Sequence, residues 1–306
     1  MKLTILGSGT SQGVPIIGCQ CEVCRSKDPR DIRLRSSAMV EWRGMRIVVD
    51  AGPDFRLQML REGVRQIDAL LLTHHHQDHA GGIDDTRALT FIDYPIIRRL
   101  QLYATAETIE AIKRHYDYAF AESKYLGAPE IDLQEIVSGE RFRVSSEDGA
   151  KSVEDETDRV EVEVKSVEDG TDRVEVEVKS VEDGTDRVEV EVKSVEVEAI
   201  RGTHAKGLEV TGYRFGDVAY LTDFKEIEPC ERDRLRGLKV LVVNALRWGW
   251  HYSHFSVDEA LELIADVKPE RAYLTHLSHD IGRYDEVAAK LPEGVMLAYD
   301  GLQIEL

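Results

Sequence analysis

The segment Thr73-His74-His75-His76-Gln77-Asp78-His79 constrains this chain more than any other feature, because it follows directly on the short apolar run Ala69–Leu72. Within it His74, His76, Asp78 and His79 place three imidazoles and one carboxylate in six residues. Crowding these groups is costly unless a cation takes up their lone pairs, and imidazole with carboxylate is a donor set for Zn, Mn or Fe. Alternate residues in a turn just past a strand converge from one side. His74 and His76 therefore suit one ion, and Asp78 and His79, one step further, suit a second. His75 faces the other way in this scheme and is not expected to ligate.

Other short β-type runs also end in a residue able to do chemistry. Leu3–Leu6 precedes Gly7-Ser8-Gly9, Arg46–Val49 precedes Asp50, and Ala219–Leu221 precedes Thr222-Asp223. Val240–Val243 precedes Asn244, Ala272–Leu274 precedes Thr275-His276, and Met296–Tyr299 precedes Asp300. Helical patterns lie between some of them, at Ala106–Tyr118 and at Val257–Val267, the latter opened by Ser256 with Glu259 three residues on as a capping box. Strands and helices alternating at this spacing predict an α/β layered fold with its functional side chains at strand ends.

The 306 residues suffice for one large domain or two small ones, and 42% apolar residues supply a sizeable core. A formal charge of −19 argues against broad phosphate neutralisation, so no nucleic-acid partner is expected. That charge is uneven: residues 151–198 hold 18 Asp/Glu and 7 Lys/Arg, a net of −11. Here a fourteen-residue unit, Lys-Ser-Val-Glu-Asp-Gly-Thr-Asp-Arg-Val-Glu-Val-Glu-Val, begins at Lys151 (with Glu156 for Gly), Lys165 and Lys179, and a truncated copy begins at Lys193. Its Val/Glu alternation has strand period, Asp169-Gly170 and Asp183-Gly184 are turn signals, and each Lys-Ser shifts the parity as a bulge would. The segment reads as an antiparallel ribbon projecting from the domain, or else as a mobile acidic loop. The resulting division is 1–143 and 199–306 as two halves of one domain around an insertion at 144–198. Exposed Val faces on a ribbon would also allow pairing between two copies of the chain, a homodimer. No apolar run approaches the roughly 18 residues of a membrane span, and the apolar stretch at the start is too short for a secretory signal, so a cytoplasmic location without membrane partners is the expectation.

The His-x-His-x-Asp-His motif resembles that of the metallo-β-lactamase fold hydrolases, whose architecture is a four-layer αββα sandwich. The resemblance covers nearly the whole chain except the repeat. It implies three further ligands: His204 in Arg201-Gly202-Thr203-His204, Asp223 as a carboxylate bridging two metals, and His276 in Tyr273-Leu274-Thr275-His276.

Three of the four cysteines, Cys19, Cys21 and Cys24, fall within six residues, a spacing that favours metal ligation over disulfides in a reducing compartment. Three thiolates need a fourth ligand for a closed tetrahedral zinc site, and His279, three residues past His276, suits that place. Cys230 is left as an ordinary thiol. Gly18-Cys19-Gln20-Cys21 near the N-terminus, His-x-x-His near the C-terminus and Gly7-Ser8-Gly9-Thr10-Ser11-Gln12-Gly13-Val14-Pro15 together resemble the phosphoribosyl cyclic phosphodiesterases of the carbon–phosphorus lyase type. That likeness implies a structural zinc on Cys19, Cys21, Cys24 and His279, two divalent ions (Mn or Zn) at the active centre, and a small cyclic or sugar phosphodiester as substrate.

In such a reaction Asp78 would orient the nucleophile besides ligating. His254, in Trp250-His251-Tyr252-Ser253-His254-Phe255-Ser256, is the candidate general acid, with an ordinary imidazole pKa near 6.5, and His251 is its rival. Arg247-Trp248-Gly249-Trp250 either walls a substrate pocket and supplies a cation for a terminal phosphate, or is a packed loop. Two other readings stand beside this one. The same fold hosts RNA 3′-end processing and lactone or thioester hydrolysis, and a scaffold could use the repeat ribbon as its working part.

Overall fold

The computed structural model describes residues 1–145, 161–165, 175–179 and 193–306. Two seven-stranded mixed sheets form its centre. The first takes β1 (Lys2–Gly7), β2 (Ser37–Trp42), β3 (Met45–Val49), β4 (Ala69–Leu71), β5 (Leu100–Ala104) and β6 (Ile131–Glu135) in spatial order, with the last strand of the chain beside β1. The second begins with β7 (Arg141–Ser145). Next in the chain, β8 (Glu161–Lys165) and β9 (Glu175–Lys179) pair antiparallel about Glu163 and Glu177 as a separate two-stranded sheet. The second sheet continues through β10 (Ser194–Thr203), β11 (Glu209–Phe215), β12 (Val218–Leu221), β13 (Val240–Asn244), β14 (Arg271–Thr275) and β15 (Val295–Leu297). Strand β16 (Gln303–Glu305) then returns to pair with β1.

Eight α-helical segments accompany the sheets: α1 (Phe55–Glu62), α2 (Gln77–Ala80), α3 (Arg87–Thr90), α4 (Ala106–His115), α5 (Asp117–Phe120), α6 (Pro229–Asp233), α7 (Val257–Val267) and α8 (Tyr284–Ala288), counted among the described residues. Strand periodicity assigns the apolar side chains to layers. In β3, Ile47 and Val49 join the core between the sheets, whereas Val48 joins the cluster that holds Phe55 and Met59 of α1 and Ile109 and Ile112 of α4. In β13, Val240 and Val242 face the inter-sheet core, whereas Leu241 and Val243 meet Val257, Ala260 and Leu263 of α7. Strands buried on both faces read as continuous apolar runs, as these do. The order helix, sheet, sheet, helix is the αββα sandwich.

The truncated fourth copy of the repeat is part of this core. Val195 and Val197 are buried between the sheets, and Ser194–Glu198 pairs with β7 on one side while β10 continues against β11 on the other. The alternating Val/Glu segments at 161–165 and 175–179 are strands, as their period predicts. Of the Lys-Ser pairs only Lys193-Ser194 lies wholly within the described residues, where β10 begins at Ser194; the other Lys-Ser bulges and the Asp-Gly turns expected in the insertion lie outside them.

The helical pattern at Ala106–Tyr118 is realised as two pieces. α4 ends at His115, and Tyr116, at φ −123° and ψ 42°, turns its hydroxyl to donate to the Ala80 carbonyl at 2.7 Å. α7 has its predicted bounds, with Ser256 Oγ accepting from Glu259 N and the Glu259 carboxylate accepting from Ser256 N at 2.7 Å. No helix among the described residues is long and apolar enough to cross a membrane.

Candidate metal centre

Strand direction brings the motif residues together. β3 and β4 run parallel in one sheet, and β12, β13 and β14 run parallel in the other, so each set releases its C-terminal residues at one edge. Asp50 and Thr73-His74 leave the first set, while Asp223, Asn244 and His276 leave the second. Asp50, Asp223 and His276 all adopt positive φ (65°, 65° and 57°), a conformation costly for residues with a Cβ and typical of side chains aimed into a site. The ligand turn is held against the first sheet by Ala51 N donating to His79 O at 2.8 Å and Gly82 N donating to Ala51 O at 2.8 Å. Gly52 permits that approach, since a Cβ there would lie 2.0 Å from the Asp78 carbonyl oxygen.

Four sets of potential ligand atoms converge at this edge, each within 4.8 Å of one another: His74, His76 and His204; His74, His79 and Asp223; His204, Asp223 and His254; and Asp78, Asp223 and His276. Asp223 belongs to three of them. All seven residues predicted for the dinuclear centre therefore meet, His75 belongs to none of the sets, and His254 belongs to one of them, with Nδ1 3.5 Å from Asp223 Oδ1.

The hydrogen bonds around the rings leave lone pairs facing inward. His204 donates from Nδ1 to the Ser253 carbonyl at 2.7 Å, which leaves Nε2 as an acceptor. His79 Nδ1 lies 2.7 Å from Asp50 Oδ2, and its Nε2 lies 3.1 Å from Asp78 Oδ2 and 3.0 Å from Asp223 Oδ2. Thr73 donates from N and Oγ1 to Asp50, and its hydroxyl also touches His74 Nδ1 at 3.0 Å. The inward nitrogen His74 Nε2 is buried without a hydrogen-bond partner, and His79 Nε2 faces only the two carboxylates. Carboxylates packed against an imidazole lone pair repel it unless positive charge lies between them. The donor set thus fits a pair of cations on its own chemistry.

Electrostatics point the same way. Burial opposes charge on His79, but Asp223, Asp78 and Asp50 outweigh it and hold the ring's pKa well above the ordinary value. Burial also works to raise Asp223, and the His276 and His79 rings overcome it, keeping that carboxyl well below the usual range. Without a cation, a proton on His79 occupies the charge balance of the centre. His74, His76 and His276 are pushed down, chiefly by burial, and so are neutral ligand-ready imidazoles. Burial takes His254 to about 3, far below the ordinary imidazole value expected from sequence, so this ring is neutral at pH 7 in the substrate-free protein.

A second cluster lies where the chain's two ends meet. The sulfurs of Cys19 and Cys21 are each 3.3 Å from His279 Nδ1, and that of Cys24 is 3.6 Å away. The four donors are mutually within 4.8 Å, which suits one tetrahedral cation, while Cys230 is exposed and apart on α6. Beneath them the fully buried Arg33 pairs with Asp31 at 3.2 Å and donates to the Ser278 carbonyl at 3.1 Å.

Several supporting residues escaped the sequence reading. Asp50 was visible only as a polar residue ending a strand. Thr10, whose Oγ1 lies 3.5 Å from His276 Nε2, falls in the quoted Gly7–Pro15 stretch without a role of its own there, and Ser36, whose Oγ lies 3.0 Å from His276 Nδ1, carries no motif signal.

A sequence profile for the Beta-lactamase superfamily domain matches residues 45–154 and 149–277. An octanoyltransferase of Porphyromonas gingivalis is 32% identical over 305 residues, 99% of this chain and 51% of that protein. A ribonuclease Z of Methanopyrus kandleri is 34% identical over 77 residues, 24% of this chain and 27% of that protein. The chain spans about half the length, or less, of these curated relatives. Among solved structures, a diphosphatase from the PhnP family is 34% identical with a TM-score of 0.77, covering 100% of this chain and 97% of that one. Zn(2+)-bound PqqB from Methylobacterium extorquens shares the fold at 18% identity, with a TM-score of 0.65 and full coverage of both chains. The chain belongs to the β-lactamase superfamily and has the metallo-β-lactamase fold, related to the PhnP-family diphosphatase.

Proposed function

We propose that this protein is a dinuclear metal-dependent phosphodiesterase acting on a small cyclic or sugar phosphodiester. The observation that carries the reading is the position of Asp223, one carboxylate within ligand distance of three donor sets drawn from both sheets. Likeness to a diphosphatase over nearly all of both chains supports phosphoryl chemistry. His74, His76 and His204 would hold one divalent ion, Asp78, His79 and His276 the other, with Asp223 shared and Mn or Zn suited to the donors. Cys19, Cys21, Cys24 and His279 would hold a structural zinc. When bound, the divalent pair supplies a water of lowered pKa and positive charge against phosphoryl oxygens.

The chain's own groups do the rest. Asp50 fixes His79 and, through Thr73, His74. Asp78, partly exposed beside His79, is placed to accept a hydrogen bond from the attacking water and orient it. His254 gives the leaving alkoxide its proton from Nδ1, the atom turned toward the centre. A ring neutral at rest becomes a donor once an anionic phosphoryl group lies beside it and raises its pKa, so protonation is tied to substrate binding.

Hydrolysis of bis(p-nitrophenyl) phosphate with added Mn²⁺ or Zn²⁺ tests this reading, with His76→Ala as control. Activity that survives the substitution counts against it, as does elemental analysis without two ions beyond one tightly held zinc. The short match to a ribonuclease Z gives a second reading, an RNA-processing nuclease, which the acidic balance disfavours. Cleavage of a tRNA precursor faster than of small diesters would favour it.

A further inference from the structure

His276 and His279 stand three positions apart in one turn, yet each closes a different cluster of donors. His276 meets Asp78 and Asp223 at the dinuclear centre, and His279 meets Cys19, Cys21 and Cys24. Hydrogen bonds hold the turn between them from several sides. His276 is left-handed at φ 57°, a conformation that persists in a residue with a Cβ only where the surroundings enforce it. Leu277 N donates to Ser8 O at 2.8 Å, Thr10 N donates to Leu277 O at 3.2 Å, and Ser278 N donates to Leu246 O at 2.9 Å. The Ser278 carbonyl, directly before His279, accepts from Arg33 Nη1 at 3.1 Å.

Arg33 ties that carbonyl to the loop that carries the cysteines. Its backbone pairs with Val14 in both directions at 2.8 Å, and two residues further on Ile16 N donates to the Cys24 sulfur at 3.4 Å. The guanidinium also reaches Asp31 at 3.2 Å, and Asp31 accepts from Tyr284 N at 2.9 Å on the far side of His279. Arg33 and Asp31 are 1% and 2% exposed. A buried ion pair adds little net stability over apolar residues of similar volume, so the use of this one lies in what it holds in place. Residues 15–24 have little apolar packing to fix them, Val23 being the buried side chain of that stretch.

We propose that Arg33 is a positioning residue that couples the two clusters. Zinc on the cysteines and His279 clamps the Ser278 carbonyl against Arg33 and thereby steadies His276, so that the divalent ion at Asp78, His79 and His276 binds more tightly. The ion at His74, His76 and His204 takes no ligand from this turn and is indifferent to the zinc. The inference rests on the metal assignments proposed above.

The test titrates Mn²⁺ into chelator-treated protein, with and without one equivalent of Zn²⁺, and reads free Mn²⁺ by electron paramagnetic resonance. Thiolates are the softer ligands and should take the zinc, which protection of the cysteines from iodoacetamide verifies. His276→Ala identifies the Mn²⁺ step that its ring supports. Zinc should tighten that step about ten-fold and change the other by less than about two-fold, a coupling of ordinary size between two sites. By linkage, Mn²⁺ should tighten zinc on the cysteines by the same factor, read by competition with a zinc chelator. Arg33→Lys keeps the charge but loses the fork that reaches both Asp31 and Ser278. It should still bind zinc yet lose the difference, as should Arg33→Met combined with Asp31→Leu. Should the double variant fail to fold, Arg33→Lys decides alone. A difference that survives in the folded variants, or zinc that moves both Mn²⁺ steps equally or neither, overturns the proposal. Cysteines that take no zinc refute the metal assignment and the coupling together, whereas zinc that binds without moving a Mn²⁺ step refutes the coupling alone.

Discussion

The Nδ1 of His79 lies 2.7 Å from Oδ2 of Asp50, and both side chains are fully enclosed. Asp50 therefore fixes which His79 nitrogen faces the centre. Removing such an outer partner typically costs 10–100-fold in metal affinity. Asp50→Ala should lose about that factor at the ion held by Asp78, His79 and His276, with less effect at His74, His76 and His204. Asp50→Asn should fall between, since its amide oxygen still accepts from His79 while its amino group meets the donors of Thr73. Competition with a chromogenic chelator, resolving two binding steps, reads both outcomes. Equal weakening of both steps would contradict the assignment.

The thiols of the cysteine cluster differ in acidity when no metal is bound. A backbone hydrogen bond from Cys24 takes the exposed Cys21 down to about 6, and burial takes Cys24 up to about 11. A depressed folded-state pKa means thiolate persists at pH 7 and is lost as pH falls through 6. Chelator-treated protein should be carbamidomethylated by iodoacetamide first at Cys21, with a rate that climbs through pH 6, and at Cys24 only in strong alkali. Zinc should protect all three. Mass spectrometry of the labelled peptides checks the order, and uniform labelling at pH 7 would refute it.

Much of this candidate centre is legible in the sequence because its candidate ligands sit in local patterns. His74 to His79 are adjacent in the chain, and Asp223 and His276 end apolar runs. The supporting contacts are not, since they cross long separations: Asp50 to His79, Ser36 to His276, and Arg33 to Ser278. Nothing in the local pattern around Ser36 or Arg33 records what arrives from the far end of the chain. The helix predicted through Tyr118 breaks for the same reason, because a tertiary bond from Tyr116 to Ala80 outweighs helical propensity. The sheet also claims Ser194–Glu198, whose Val/Glu pattern is identical in kind to that of the repeat. Nothing in that composition marks Val195 and Val197 for burial between the two sheets.

Ser256 and Glu259 close both halves of the α7 capping box, and Glu259 also holds Lys225. Ser256→Ala should lower stability by about 1 kcal/mol, the ordinary cost of losing such a cap. For a domain of this size the melting temperature should fall by a few degrees. Because α7 follows His254 directly, the Lys225 position loosens with it. Thermal unfolding monitored by circular dichroism gives the stability change, and Ser256→Asp, which caps equally well, should restore it.

The register of the second sheet decides how the insertion can be removed. Ser145 of β7 stands opposite Ser194 of β10, an antiparallel pair whose Cα atoms lie only about 5 Å apart. The fold therefore needs only a short hairpin connection here, and connections of 2–5 residues are common between such strands. Deleting residues 151–192 leaves six residues, 146–150 and 193, to span that gap. The shortened protein should keep its metal content and its turnover of bis(p-nitrophenyl) phosphate within about two-fold, because Val195 and Val197 still seal the core beside β7. It also loses a segment rich in carboxylates, so anionic substrates should bind no more weakly, and at low ionic strength somewhat faster. A shortened protein that folds and holds its ions but no longer turns over substrate would give the repeat a part in catalysis.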